Sequence, residues 1–274
     1  MDVLERIIER KRTEVTYQKT VVSQRELEQR PLFSRQPLSA RQAILQPGSS
    51  GIISEFKRQS PSKGVINDQV SVTETTAGYV RAGAACLSVL TDEPFFGGTS
   101  NDLMQARQAN PSTPIIRKDF IIDPYQIIEA KAIGADFILL IAACLTPEQV
   151  VDYSQLAHEL GLEVLLEVHD EEELANHLTD TVDLVGVNNR NLKTFVTDIQ
   201  TSVRLSPLIP ASFVKISESG LQQAASIVAL RQAGYQGFLI GETFMKTTDP
   251  AGALQRLIDE VNQLHPLPQK QYIV

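Results

Sequence analysis

The sequence contains no tryptophan, only two cysteines and only four histidines in 274 residues. Cys86 and Cys144 are too few for a disulfide framework or a cysteine metal cage, and they fit a reducing, cytoplasmic setting. His158, His169, His177 and His265 show no ligand spacing with cysteine or carboxylate, so no metal is expected; His169-Asp170 reads as the cap of a helix. No apolar run approaches the roughly 18 residues that a membrane span requires. The opening MDVLERIIERKR is charged and helical where a signal peptide would be apolar. With Gly 15 and Pro 14, collagen-like and Pro/Gly-rich disordered classes are excluded. Positive charge is also in short supply. Lys+Arg 25 against Asp+Glu 33 leaves a net charge of -8, which argues against a general nucleic-acid or polybasic membrane binder.

What is present is an ordinary globular composition, 42% hydrophobic and 21% charged, long enough for one α/β barrel or two smaller domains. Residues 2–18 suit an amphipathic helix with Val3, Leu4, Ile7, Ile8 and Val15 on one stripe. A second helix is predicted over Ser39 to Leu45, followed by the turn cluster QPGSSG at 46–51.

Beyond residue 51 the pattern alternates. Strand-length apolar runs occur at 52–57, 86–92, 114–120, 136–142, 164–168, 184–189, 213–219 and 238–242. They show little polar alternation, as parallel strands covered on both faces do. Helical stretches lie between them, clearest at 123–134, 146–161, 221–234 and 249–264, several with an N-cap residue followed by proline and several closing on glycine. Eight such units, without a dinucleotide-binding fingerprint, favour a single (β/α)8 TIM barrel over an open doubly wound sheet. The expected organisation is an N-terminal helical extension over 1–50, packed on a catalytic barrel over 51–274.

The ends of the strand runs are polar, and chemistry in a barrel collects at those ends. Glu55 and Lys57 stand two residues apart and so on one strand face. Lys118 closes an apolar run, Glu167 sits inside VLLEV, and Asn188 and Arg190 follow the sixth run. Barrel interiors are normally filled with branched apolar side chains, so charges converging on one rim point to function rather than to a structural ion-pair cluster. SESG (217–220) and IGE (240–242) follow the last two runs, where barrels often bind phosphate through backbone N–H groups. The loop KRQSPSKG (57–64) adds Arg58 and Lys63 with no acid, and FFGGT (95–99) offers an aromatic wall. Lys57, Arg58, Lys63, Lys118 and Arg190 are expected to make one rim locally positive.

Seven ordered segments resemble the indole-3-glycerol-phosphate synthase family: SEFKRQSPSKG (54–64), VLTDEPFFGGT (89–99), RKDFIIDPYQI (117–127), LLEVHDEEEL (165–174), VGVNNRNLKTF (185–195), KISESG (215–220) and LIGETFM (239–245). Thr99 stands where serine is common in that family. The resemblance implies a cofactor-free lyase that closes the indole ring of a carboxyphenylamino-deoxyribulose phosphate with loss of CO2 and water. It implies Lys118 as general acid, Glu167 as general base or acid, and Lys57 on the substrate carboxylate, with Glu55 and Asn188 orienting these groups. Phe96 and Phe120 match the aromatic pocket, and Ser60, Ser219, Gly220, Gly241 and Glu242 the phosphate site. Arg190 and Glu218 are further substrate-binding positions. The expected partner is a small molecule carrying phosphate and carboxylate, taken up by a cytoplasmic monomer without a fused isomerase domain.

Two other functions fit parts of the pattern. One is a Schiff-base aldolase-type lyase with Lys118 or Lys215 as nucleophile, which predicts a borohydride-trappable adduct. The other is a non-catalytic barrel that binds a phosphate ligand.

Overall fold

A computed structural model of the chain describes residues 2–192 and 194–265. Three helices, α1 (Val3–Val21), α2 (Gln24–Glu28) and α3 (Ala40–Leu45), precede β1 (Ile52–Phe56). A hairpin of β2 (Gln59–Ser60) and β3 (Gly64–Val65) then leads to α4 (Val72–Arg81). β4 (Cys86–Leu90) is followed by α5 (Glu93–Phe96) and α6 (Ser100–Ala109), and β5 (Ile115–Lys118) by α7 (Pro124–Ala132). β6 (Phe137–Ile141) feeds α8 (Pro147–Glu159), β7 (Glu163–Val168) feeds α9 (Glu171–His177), and β8 (Leu184–Asn188) feeds α10 (Gln200–Leu205). β9 (Val214–Glu218), α11 (Ala224–Gln232), β10 (Gly237–Ile240), α12 (Glu242–Met245) and α13 (Pro250–Leu264) complete the described chain. The far end of the expected barrel domain, 266–274, lies outside the described residues.

The strands close into a parallel barrel in the order β1-β10-β9-β8-β7-β6-β5-β4, with β1 joined to β4 on one side and to β10 on the other. The expected (β/α)8 barrel is therefore the observed fold, and each apolar run identified in the sequence supplies one staves' worth of it. The helix starts follow the chemistry read above. Asp123, Thr146 and Asp249 cap α7, α8 and α13, each directly before a proline. Thr99 caps α6 and exchanges hydrogen bonds with Asp102, so a threonine serves there as a serine would.

Strand period sorts side chains into two cores. Leu87, Val89, Leu140, Val164, Leu166, Val185 and Val187 point out against the helices. Ile53, Cys86, Ile116, Phe137, Leu165, Leu184, Val214 and Ile216 fill the barrel. Two residues further along, the same inward faces carry Glu55, Ser88, Lys118, Glu167 and Glu218, all on positions that continue the interior register. The barrel is thus plugged by hydrocarbon at its amino end and opens into charge at its carboxyl end.

The helices before β1 grip both ends. Ala40 and Ile44 of α3 join the interior apolar cluster at the amino end. There the buried Asp136 carboxylate accepts from Arg35, the Leu38 and Ile115 amides, and Arg107. At the carboxyl end α1 inserts the fully buried Lys11, whose Nζ lies 2.9 Å from Asp119 Oδ1 and 3.0 Å from Asp92 Oδ2. Among the described residues, no helix is long and apolar enough to cross a membrane.

Candidate active site

The charged residues singled out from the strand ends meet in one cluster. Glu55, at the end of β1, is buried with Lys57 Nζ 2.6 Å from its Oε1, and Ser88 of β4 donates to its Oε2 at 3.2 Å. Lys118 closes β5 with Nζ 3.3 Å from Glu167 Oε2 and 3.7 Å from Glu218 Oε2. Asn188 at the end of β8 donates Nδ2 to Glu167 Oε1 at 3.2 Å. Two glycines make room for these acids. A Cβ at Gly186 would overlap Glu218 Oε1, and one at Gly241 would stand 2.6 Å from Glu55 Oε1.

The electrostatics follow from three carboxylates facing two ammoniums. Burial disfavours charge on Lys118, yet Glu167, Glu218 and Glu55 outweigh it, so the ammonium is held well above its ordinary pKa. Burial likewise opposes ionisation of Glu167, but Lys118 and His169 keep it well below the carboxylate range. Lys57 and Lys118 do the same for Glu55. Glu218 is left over. Burial and the neighbouring Glu167 charge push it up to about 8, and its buried Oε1 has no hydrogen-bond partner. The cluster therefore holds an ionised carboxylate and a charged ammonium side by side, with a carboxyl group that retains a proton near neutrality.

Above the cluster lies a pocket with two ends. Its apolar end is walled by Phe96, Phe120, Ile141, Leu192 and, from α1, Val3, Leu4 and Ile7. The Phe96 and Phe120 ring centroids are 5.9 Å apart at 37°. Its polar end is bounded by Ser62, Lys63, Arg190, Ser219, Gly220, Gly241 and Glu242. Ser219 and Gly220 are both left-handed, with φ 67 and φ 75. Asn189 pins that turn by donating to the Glu218 and Ser219 carbonyls. Glu242 sits between two cations, 3.4 Å from Arg190 Nη2 and 3.7 Å from Lys63 Nζ.

Two expectations change. Arg58 does not join the positive rim. It makes a bidentate pair with Asp102 at 2.8 Å and lies over the Phe56 ring. Ser60 lines the apolar pocket rather than the polar end, where the neighbouring Ser62 and Lys63 stand instead. The His169-Asp170 pair does begin a helix, with Asp170 as the cap of α9, and His169 Nε2 reaches to 3.4 Å from Glu167 Oε1. Lys215, the alternative nucleophile, bonds the Ser206 carbonyl at 2.6 Å and does not line the mouth. Sequence reasoning also passed over Lys11 and the α1 contribution to the pocket. His169 had a signal, since it lies two residues from Glu167 just as Lys57 lies two from Glu55.

The barrel and this mouth define a (β/α)8 enzyme equipped for proton transfer on a substrate with an aromatic portion and an anionic end. Comparison with known proteins makes the assignment specific. The chain belongs to the indole-3-glycerol phosphate synthase family, whose model matches residues 4–257. It is similar to the indole-3-glycerol phosphate synthase of Bacteroides thetaiotaomicron, 48% identical over 261 residues that cover 95% of this chain and 99% of the relative. It is also similar to that of Bordetella pertussis, 45% identical over 260 residues, 94% and 99% of the two chains. Solved structures share the fold at lower identity. The 3-hexulose-6-phosphate synthase of Salmonella typhimurium matches with TM-score 0.62 at 14% identity, over 78% of this chain and 100% of that one. A tryptophan synthase alpha-subunit from Pyrococcus furiosus matches with TM-score 0.57 at 15% identity, over 80% and 100%.

Proposed function

We propose that the Lys118–Glu167 cluster carries out the family's reaction, conversion of 1-(2-carboxyphenylamino)-1-deoxy-D-ribulose 5-phosphate to indole-3-glycerol phosphate. The protein is a decarboxylating carbon–carbon lyase of tryptophan biosynthesis. The observation that carries the residue assignment is the partly buried Lys118–Glu167 pair at 3.3 Å, in the same pocket as the Phe96–Phe120 wall.

In this reading the aromatic ring of the substrate packs between Phe96, Phe120 and the α1 side chains, and the phosphate lies at the Ser219–Gly220 and Gly241 backbone with Arg190 and Lys63 nearby. Glu242, already paired with those cations, contributes through its backbone. Ring closure turns the ribulose carbonyl into an alkoxide, and the Lys118 ammonium, kept charged by its three carboxylate neighbours, delivers the proton. Lys57 engages the substrate carboxylate, loss of CO2 restores aromaticity, and Glu167 removes the proton that leaves with dehydration. Asn188 and Glu55 hold the base and the lysines in register, and Glu218 completes the floor beneath them.

The test is to supply the substrate and follow indole emission, against which a protein without tryptophan contributes almost no background. A positioned acid or base contributes roughly 10²–10⁴-fold in rate. Lys118→Ala is expected to lose at least that much while remaining folded, and near-normal turnover in that variant would refute the assignment. A borohydride-trappable adduct on wild-type protein would instead support the aldolase chemistry.

A further inference from the structure

The polar end of the mouth contains one group that works against an anionic occupant. Ser62, Lys63 and Arg190 bring hydrogen-bond donors and positive charge to that cavity, and Glu242 brings a carboxylate. Glu55, Glu167 and Glu218 are buried in the catalytic cluster. Glu242 is placed differently: its side chain is 25% exposed and faces the two cations of the polar end.

Its ion pairs bring separate loops together. Lys63, with Nζ 3.7 Å from Glu242 Oε1, stands in the turn of the β2–β3 hairpin that follows β1. Arg190, with Nη2 3.4 Å from Glu242 Oε2, follows β8, and Glu242 itself follows β10. The rest of the guanidinium is engaged elsewhere, since Nη1 donates to Ser62 Oγ at 3.1 Å and Nε to Thr197 Oγ1 at 3.5 Å. Nη2 is therefore the arm a phosphate oxygen would take, and it is the arm that Glu242 holds. Both contacts are long and wet, with Lys63 55% exposed, and pairs of this kind are weak enough to exchange.

We propose that the Glu242 side chain is a resident counter-ion that weakens the mouth's hold on phosphate, occupying Lys63 and Arg190 while the site is empty and hastening release of the phosphate-bearing product. The inference rests on the substrate phosphate lying at this end, as in the proposed function. Phosphate is the part that substrate and product share. Affinity for it raises occupancy without speeding the chemistry, and it retains product as firmly as it captures substrate. A carboxylate among the cations lowers that shared affinity in two ways. It competes for Lys63 and for Arg190 Nη2, and it repels a dianion placed beside it. The backbone around Gly241 thus attracts the phosphate while the neighbouring side chain opposes it.

Glu242→Gln keeps the shape of the side chain and removes its charge. Inorganic phosphate and indole-3-glycerol phosphate, each measured as a competitive inhibitor, are expected to bind the variant more tightly than the wild type by roughly five-fold, the upper range for a part-exposed ion pair. Because the effect is one of charge, the gap is expected to narrow as salt rises from about 0.01 M to about 1 M. A carboxylate that only positions Lys63 and Arg190 predicts the opposite sign, since its loss would leave both cations unsupported and weaken inhibition. Unchanged or weaker inhibition in Glu242→Gln overturns the counter-ion, as does a gain that salt leaves intact. Arg190→Gln separates this failure from failure of the phosphate placement. If inorganic phosphate competes with substrate in the wild type and Arg190→Gln weakens it, the placement stands and the Glu242→Gln result decides the inference alone. If phosphate does not compete, or Arg190→Gln leaves its binding unaltered, the placement falls and the inference falls with it.

Discussion

Two largely enclosed residues, His169 and Asp119, tie stability to pH in opposite directions. For His169, burial opposes the charge, but Glu167 and Glu173 overcome it and raise the pKa from 6.5 to about 10. A raised pKa means that the folded state holds the proton more tightly. The stabilisation is therefore complete below pH 6.5 and is lost as the pH rises through about 10. Asp119 is the reverse case. Lys11 and Arg117 prevail over its burial and lower its pKa from 3.8 to about 2, so its contribution is present above pH 3.8 and fades as the pH falls through about 2. Urea midpoints are expected to decline between pH 7 and pH 10 in the wild type. In His169→Gln that alkaline decline should be shallower, and an unchanged slope would remove His169 from the account.

At the scale of the element, α1 does more than cover the barrel. Lys11 holds Asp92, which caps the short helix bearing Phe96, and Asp119, whose other contacts are the Phe120 amide, Thr91 and Arg117. One ammonium thus fixes the backbone behind both aromatic walls. Lys11→Met leaves two buried carboxylates without their partner and is expected to cost about 3–5 kcal/mol, measured by denaturant unfolding. Lys11→Met combined with Asp92→Asn should recover part of that loss. The strands were legible as continuous apolar runs, and the helix starts as Asp-Pro and Thr-Pro pairs, because those signals are local. Glu55, Lys118, Glu167 and Glu218 were legible because charge at the end of an apolar strand is anomalous. Lys11 was not, since a lysine on a charged helix looks solvated until Asp92 and Asp119, over eighty residues away, close on it. Helix α2 is a different kind of miss: its capping box, Ser23 with Glu26, was present in the sequence and passed over. Arg58 was not legible either, since Asp102, its partner, lies far along the chain in α6.

The whole molecule carries a net charge of -8, yet Lys57, Lys63, Lys118 and Arg190 border its mouth. A phosphate-bearing substrate must approach an acidic surface before reaching cations that are partly open to solvent, Lys63 being 55% exposed. Such attraction is screened as the Debye length falls from about 30 Å at 0.01 M salt to about 3 Å at 1 M. KM is therefore expected to rise by about five-fold across that range, the equivalent of about 1 kcal/mol, with kcat nearly constant. Lys63→Gln should flatten the dependence, and a salt-independent KM would argue against steering. The closure of the barrel has its own consequence for how the protein is made. β1 delivers Glu55 to the mouth but finds its second neighbour only in β10, with Ile52 beside Phe238. During synthesis this strand leaves the ribosome with an unpaired edge and waits for nearly the whole chain to follow. A nascent barrel cannot hold the finished cluster, and its β1 edge stays open to mispairing until β10 arrives.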